Sequence, residues 1–123
     1  MSSAARSIYV FGIYLIVTGG ILMGSPNTLL AVLGIAPTSE PWIRILGMVV
    51  MVIGMLDVAC ARTEQTGFFR ATVYTRMFAF VTFVVFAALG IAPPVLILFG
   101  VIDGAAALWT HTALRGAKTV AQA

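Results

Sequence analysis

Four apolar stretches of about twenty residues, separated by short polar or proline-containing breaks, decide most of what this chain can fold into. A helix that crosses the ~30 Å hydrocarbon core of a bilayer needs ~20 mostly apolar residues at ~1.5 Å of rise each. Candidate spans run from about 8 to 23, 42 to 61, 68 to 89 and 94 to 114. The breaks between them are rich in turn formers: Ser25-Pro26-Asn27, Pro37-Thr38-Ser39, Glu64-Gln65-Thr66-Gly67 and Gly90-Ile91-Ala92-Pro93-Pro94. Ser39, ahead of Glu40 and Pro41, reads as an N-cap for the second span. PNTLLAVLG, from Pro26 to Gly34, is too short to span and is expected to form a short interfacial helix or to fold back. At 61% hydrophobic and 9% charged over 123 residues, little chain is left for a soluble domain. The expected fold is all-α, a single transmembrane four-helix bundle covering residues 1–123. A cleavable signal peptide is the competing reading of the first stretch, because Arg6 precedes a run of suitable length. No A-x-A site follows, and three further spans favour an uncleaved helix.

The charge of +3 does not point to nucleic acid, since the basic residues form no soluble face. They report orientation instead. Arg6 precedes the first span, Arg62 and Arg70 flank the second loop, and Arg115 and Lys118 follow the fourth span, whereas the first and third loops have no lysine or arginine. The positive-inside rule then places both termini and the second loop in the cytoplasm, with Trp42 and Trp109 as interfacial anchors. Cys60 and His111 are each the only residue of their type, so a structural zinc or bis-histidine haem would need ligands from a second subunit, and no metal or cofactor is expected.

LGIAP occurs twice, at Leu33–Pro37 and Leu89–Pro93, each time ahead of a long apolar segment. With small gaps, Arg6 aligns with Arg70, Pro41 with Pro94, Gly47 with Gly100 and Arg62 with Arg115. The pattern suggests a two-helix unit in tandem, with the short segment inserted in the first copy. Chance similarity between apolar helices is the alternative. Two even-spanning halves would be parallel, related by an axis along the membrane normal.

Charges inside apolar spans carry the strongest functional signal. Arg76 lies about 10–12 Å into the third span from its cytoplasmic end. Asp103 in the fourth span, Asp57 in the second and Tyr14 in the first are expected at comparable depth. An isolated charge at the bilayer centre costs on the order of 3 kcal/mol on insertion scales, so pairing is expected. Arg76 is expected to face inward and donate to Asp103, with Asp57 and the Tyr14 hydroxyl completing a network, because a guanidinium fork can serve two carboxylates. The wheel of the fourth span places Leu96, Gly100, Asp103, Gly104, Ala107 and His111 on one stripe. Gly100/Gly104 and Gly20/Gly24 form GxxxG pairs of the kind that let helices approach. A structural lock and a polar pocket for an amphiphile remain open readings of this network. Arg44 and Glu40 stand apart as an outer-face contact, and His111 is expected at the interface or below Asp103 as a proton exchanger or ligand.

In its order of features, with Trp42-Ile43-Arg44, Gly47, Gly54, Arg76 and Asp103, the chain resembles the small four-helix bacterial membrane proteins loosely grouped as DoxX-like. That resemblance implies a bacterial inner membrane and, for some members of the group, quinone-linked oxidation or a place beside an enzyme. Small multidrug exporters have similar length, but their first-helix glutamate has no counterpart here. The function expected is therefore non-enzymatic: an accessory subunit, or a binding protein for a lipid- or quinone-type amphiphile, in contact with the bilayer and with a membrane partner or further copies of itself. The alternatives are a proton-coupled transporter or channel and the membrane component of a quinone-linked oxidoreductase.

Overall fold

The computed structural model describes residues 1–122, and the side chains of residues 1–117; the side chain of Lys118, counted above among the basic residues, lies outside the described residues. The helices are α1 (Ser3–Gly24), α2 (Pro26–Val32), α3 (Trp42–Arg62), α4 (Thr66–Ala88) and α5 (Ile97–Gln122), with a 3-10 turn over Pro94–Leu96. No strand occurs among the described residues. Four of the helices are long and apolar enough to cross a membrane, and a short helix follows the first, as expected. Their outward faces are greasy: Tyr74 and Phe78, one turn apart on α4, are 77% and 74% exposed. An apolar surface of this extent belongs against lipid rather than water. The chain is an all-α, multi-pass membrane protein.

Helix ends explain where the boundaries differ from expectation. α1 starts five residues before the apolar run because Ser2 caps it, its Oγ accepting the Ala5 N–H at 3.1 Å. The cap expected from Ser39 is not the one used. α3 begins at Trp42, and the carbonyl of Pro41 accepts the N–H groups of Arg44 and Ile45 at 3.1 and 3.2 Å. The preceding loop is held instead by Asn27 Oδ1, which accepts the Thr38 N–H, and by Thr38 Oγ1, which accepts the Glu40 N–H.

Both copies of LGIAP fold into the same device. Leu33 and Leu89 end their helices in the αR region, and Gly34 and Gly90 each follow at φ 72°. The glycine N–H reaches back to the carbonyl of Ala31 or Ala87, and the isoleucine N–H to that of Leu30 or Phe86. This is a Schellman cap, in which glycine is favoured because a Cβ is strained in the left-handed region.

The chain divides into two compact units, Tyr9–Ala59 and Met1–Ile8 together with the chain from Cys60 onward. In the first, α1 and α3 run antiparallel and meet through glycines. A Cβ on Gly19 would stand 2.5 Å from the Gly47 carbonyl oxygen, and one on Gly54 would stand 2.6 Å from that of Gly12. In the second unit, α4 and α5 meet glycine to ring: a Cβ on Gly100 would lie 3.0 Å from Phe83, and one on Gly104 3.4 Å from Phe80. Gly19·Gly47 and Phe83·Gly100 are matching positions in the tandem alignment, so both helix pairs cross at the same register.

Candidate functional site

Three buried polar residues of the second unit, Arg76, Thr110 and Ser7, form one directed chain. Arg76 on α4 is 5% exposed, and Ser7 and Thr110 are 0% exposed. Arg76 Nη1 donates to Thr110 Oγ1 at 3.3 Å, Thr110 Oγ1 and Ser7 Oγ lie 2.7 Å apart, and Ser7 Oγ donates to the Ala4 carbonyl at 2.6 Å. The direction follows from the groups at the ends: a guanidinium can only donate and a carbonyl can only accept. Thr110 must therefore donate to Ser7, so every donor in the chain points the same way. This ties α4, α5 and the first turns of α1 through hydrogen bonds away from water, where their polarisation is mutually reinforcing.

The expected inward face of Arg76 is observed. The bond its Nη1 makes to α5 goes to Thr110, while Asp103, partly buried on α5, lies within electrostatic reach of the guanidinium. Thr110 and Ser7 were not anticipated. The signal was weak, because Thr72, Thr75, Thr82 and Thr112 all spend their hydroxyls on carbonyls of their own helices. Thr110 differs only in lying seven residues beyond Asp103, two turns along the same stripe.

Asp57, 2% exposed, belongs to the other unit, where its Cβ faces Gly12. Tyr14 is half-buried in that unit, its ring tilted against Phe11 at 5.5 Å between centroids. Arg44 has a definite task there: Nη1 donates to the carbonyls of Met23 and Gly24. A cation on these last carbonyls of α1 satisfies acceptors that the helix leaves open and complements its negative end. Glu40 is exposed in the loop before α3.

On the surface of the second unit, α4 and α5 border two adjoining grooves, each of about 610 Å³. One is mixed, its polar edge made by Thr66, Arg70, Tyr74, His111 and Arg115 beside apolar Leu114 and Ala117. The other is apolar, with Met77, Phe80, Val101 and Leu108 as walls and Gly104 and Ala105 among its small residues. Val73 and His111 border both. The run Gly104-Ala-Ala-Ala107 makes the apolar floor shallow, and Phe80 holds the helices at ring distance beside it. His111, expected near the interface, is exposed at the junction.

Glu64 was not anticipated either. In the loop before α4, at φ 52°, its carboxylate accepts the Ser2 N–H at 2.6 Å and the Ser2 hydroxyl at 2.7 Å. The Ser2 backbone and side-chain hydrogen bonds hold the carboxyl below its ordinary 4.5. A group whose pKa is lowered by folding stabilises above its unfolded value, and the contribution disappears as pH falls through the lowered one. The melting-temperature advantage of the native chain over Glu64→Gln is therefore expected to be constant near neutrality and to fade below about pH 4.5. An advantage that persists unchanged in acid would mean that the contact does not depend on the charge.

No known protein family, curated protein or solved structure matches the chain. The functional reading therefore rests on the geometry of the site.

Proposed function

We propose that this is a non-enzymatic integral membrane protein that binds a small amphiphile in the α4–α5 groove. One observation carries the reading: two adjoining grooves that share Val73 and His111 differ in chemistry, one bordered by Arg70 and Arg115 and the other apolar from Met77 to Val101. An amphiphile has the same order of chemistry along its own length. The buried Arg76–Thr110–Ser7 chain then serves as scaffold, fixing α4 against α5 so that the groove keeps its width. Asp103 balances part of the guanidinium charge. The distribution of basic residues supports cytoplasmic termini, which would put the cationic end of the groove in the inner leaflet, and the resemblance to small bacterial membrane proteins suggests a bacterial inner membrane. The likeness to DoxX-like proteins, carried by Trp42, Arg44, Arg76 and Asp103, fits a role beside a membrane partner or another copy of the chain.

Native mass spectrometry of the full chain released from gentle detergent tests this. An amphiphile retained on the folded protein is expected. A chain that flies bare under conditions that keep its helical circular dichroism would contradict the proposal.

A further inference from the structure

We infer that Asp103 is an exchangeable proton-binding site inside the bilayer, alternating between a carboxylate that answers the Arg76 charge and a neutral acid. The inference goes beyond amphiphile binding and does not depend on what occupies the groove.

Depth comes first. The fourth span covers Pro94–Ala117, and Asp103 lies nine residues from one end and fourteen from the other. At ~1.5 Å per residue these are roughly 14 and 21 Å of helix, against a hydrocarbon core of ~30 Å. The carboxyl is half-buried at that depth. One turn before it Gly100 packs on Phe83, and Gly104 next to it packs on Phe80, so two rings lie against α5 within a turn of Asp103. Hydrocarbon penalises the charge of an acid held at such a position, which is why an intramembrane carboxyl points to a function.

Partners come second. Among the described residues no hydrogen bond reaches the Asp103 carboxyl. What it has is the field of Arg76, whose bond on α5 goes to Thr110 at 3.3 Å, two turns further along the helix. Apolar surroundings favour the neutral acid, and a nearby cation favours the carboxylate. A carboxylate clasped in a bidentate ion pair would be fixed in one state, whereas one that senses the cation without bonding to it is left able to change. The other charged or titratable groups on the packed elements stand away along the helices. On α4, Arg70 and Tyr74 come earlier than Arg76, and on α5, His111 and Arg115 lie two and three turns beyond Asp103. Arg6 belongs to the first turn of α1, and the 3-10 turn Pro94–Leu96 carries no such group. Uptake of one proton at Asp103 therefore removes the answering charge of Arg76 on α5 and changes the electrostatics of the α4–α5 seam.

Dicyclohexylcarbodiimide, an apolar reagent that reaches acids in hydrocarbon, tests this on the full-length protein in lipid vesicles. Only the protonated acid reacts: its oxygen bonds to the carbodiimide carbon and its proton goes to a nitrogen. Acyl migration to nitrogen then leaves a stable adduct that retains the whole reagent. Peptide mapping is expected to find the adduct on Asp103, with a midpoint between about pH 5 and about pH 9 and a yield falling about tenfold per unit above it. Arg76→Met removes the cation that favours the carboxylate, so the midpoint is expected to rise by about one unit or more, and by less in Arg76→Lys. The native profile decides the matter even where a variant fails to fold. Asp103 unlabelled across the range, Asp103 labelled equally across it, or an adduct confined to the buried Asp57 of the other unit would overturn the inference. An unmoved midpoint in Arg76→Met that keeps its helical circular dichroism would overturn it as well.

Discussion

Gly19→Ala is expected to produce the largest loss of stability of any single-methyl addition in this chain. The new Cβ would stand 2.5 Å from the Gly47 carbonyl oxygen and 2.7 Å from the Met51 nitrogen, both backbone atoms that no rotamer change can move. The reciprocal change, Gly47→Ala, meets the Gly19 carbonyl oxygen and Leu22 Cβ at 2.7 Å each. The helices must part, and a gap of 0.5–1 Å forfeits about a quarter to a half of the dispersion well for every atom pair along the seam. A destabilisation of about 1–3 kcal/mol is expected for each alanine, and more for valine. Gly24→Ala and Gly116→Ala supply controls, since a Cβ at either position meets nothing within 4 Å. Alanine also favours a helix over glycine by about 0.5–1 kcal/mol, so the controls should be neutral or slightly stabilising. Reversible unfolding in bicelles, followed by circular dichroism, measures the difference. Equal stability of Gly19→Ala and Gly24→Ala would show that α1 and α3 do not meet through these glycines.

Arg76→Met is expected to destabilise the chain by about 2–3 kcal/mol. The substitution is close in length and suited to an apolar site, so packing changes little. What it removes is the donor to Thr110 and the positive charge within reach of Asp103. Asp103 is only partly buried, so losing the nearby charge costs less than the ~3–5 kcal/mol of a fully buried pair, and the hydrogen bond to Thr110 is the larger share. Arg76→Lys keeps the charge but replaces a planar fork with a compact ammonium on a shorter reach, so an intermediate loss is expected. Thr110→Val, similar in shape but without the hydroxyl, isolates the hydrogen-bond share at about 1.5–3 kcal/mol. If Arg76→Met and Arg76→Lys unfold alike, geometry rather than charge is what the site needs. If Arg76→Met matches the native chain, the residue is not integrated in the way described.

Much of this architecture could be read from residue order, and the misses share a cause. Span length and the proline- and glycine-rich breaks depend on local composition, so α1, α3, α4 and α5 were legible, although α1 starts five residues earlier and α5 ends eight residues later than the apolar runs do. LGIAP was legible as an echo, although its meaning as a Schellman cap emerged only with the φ of Gly34 and Gly90. The inward face of Arg76 followed from the energetics of charge in oil. Its Thr110 partner did not, because a hydroxyl satisfied by its own helix looks the same in sequence as one used across an interface. The GxxxG pair Gly20/Gly24 drew attention on α1, yet a Cβ on Gly24 meets nothing within 4 Å. The close contacts come from Gly12 and Gly19 against Gly54 and Gly47, two pairs at seven-residue spacing that a search for heptads would have found. Arg44 was read by its chain neighbour Glu40 and turned out to cap the end of a different helix, which only folding brings near.

Amphiphile occupancy of the α4–α5 groove is tested most directly by photo-cross-linking. A photoreactive side chain at Leu108, inside the groove, is compared with one at Leu56, equally greasy and 54% exposed on α3. Both proteins are washed through detergent until loosely associated lipid is gone and are then illuminated. A lipid adduct that survives the wash at Leu108 and vanishes at Leu56 is the expected result. Adduct yields that fall together at both positions would contradict the account.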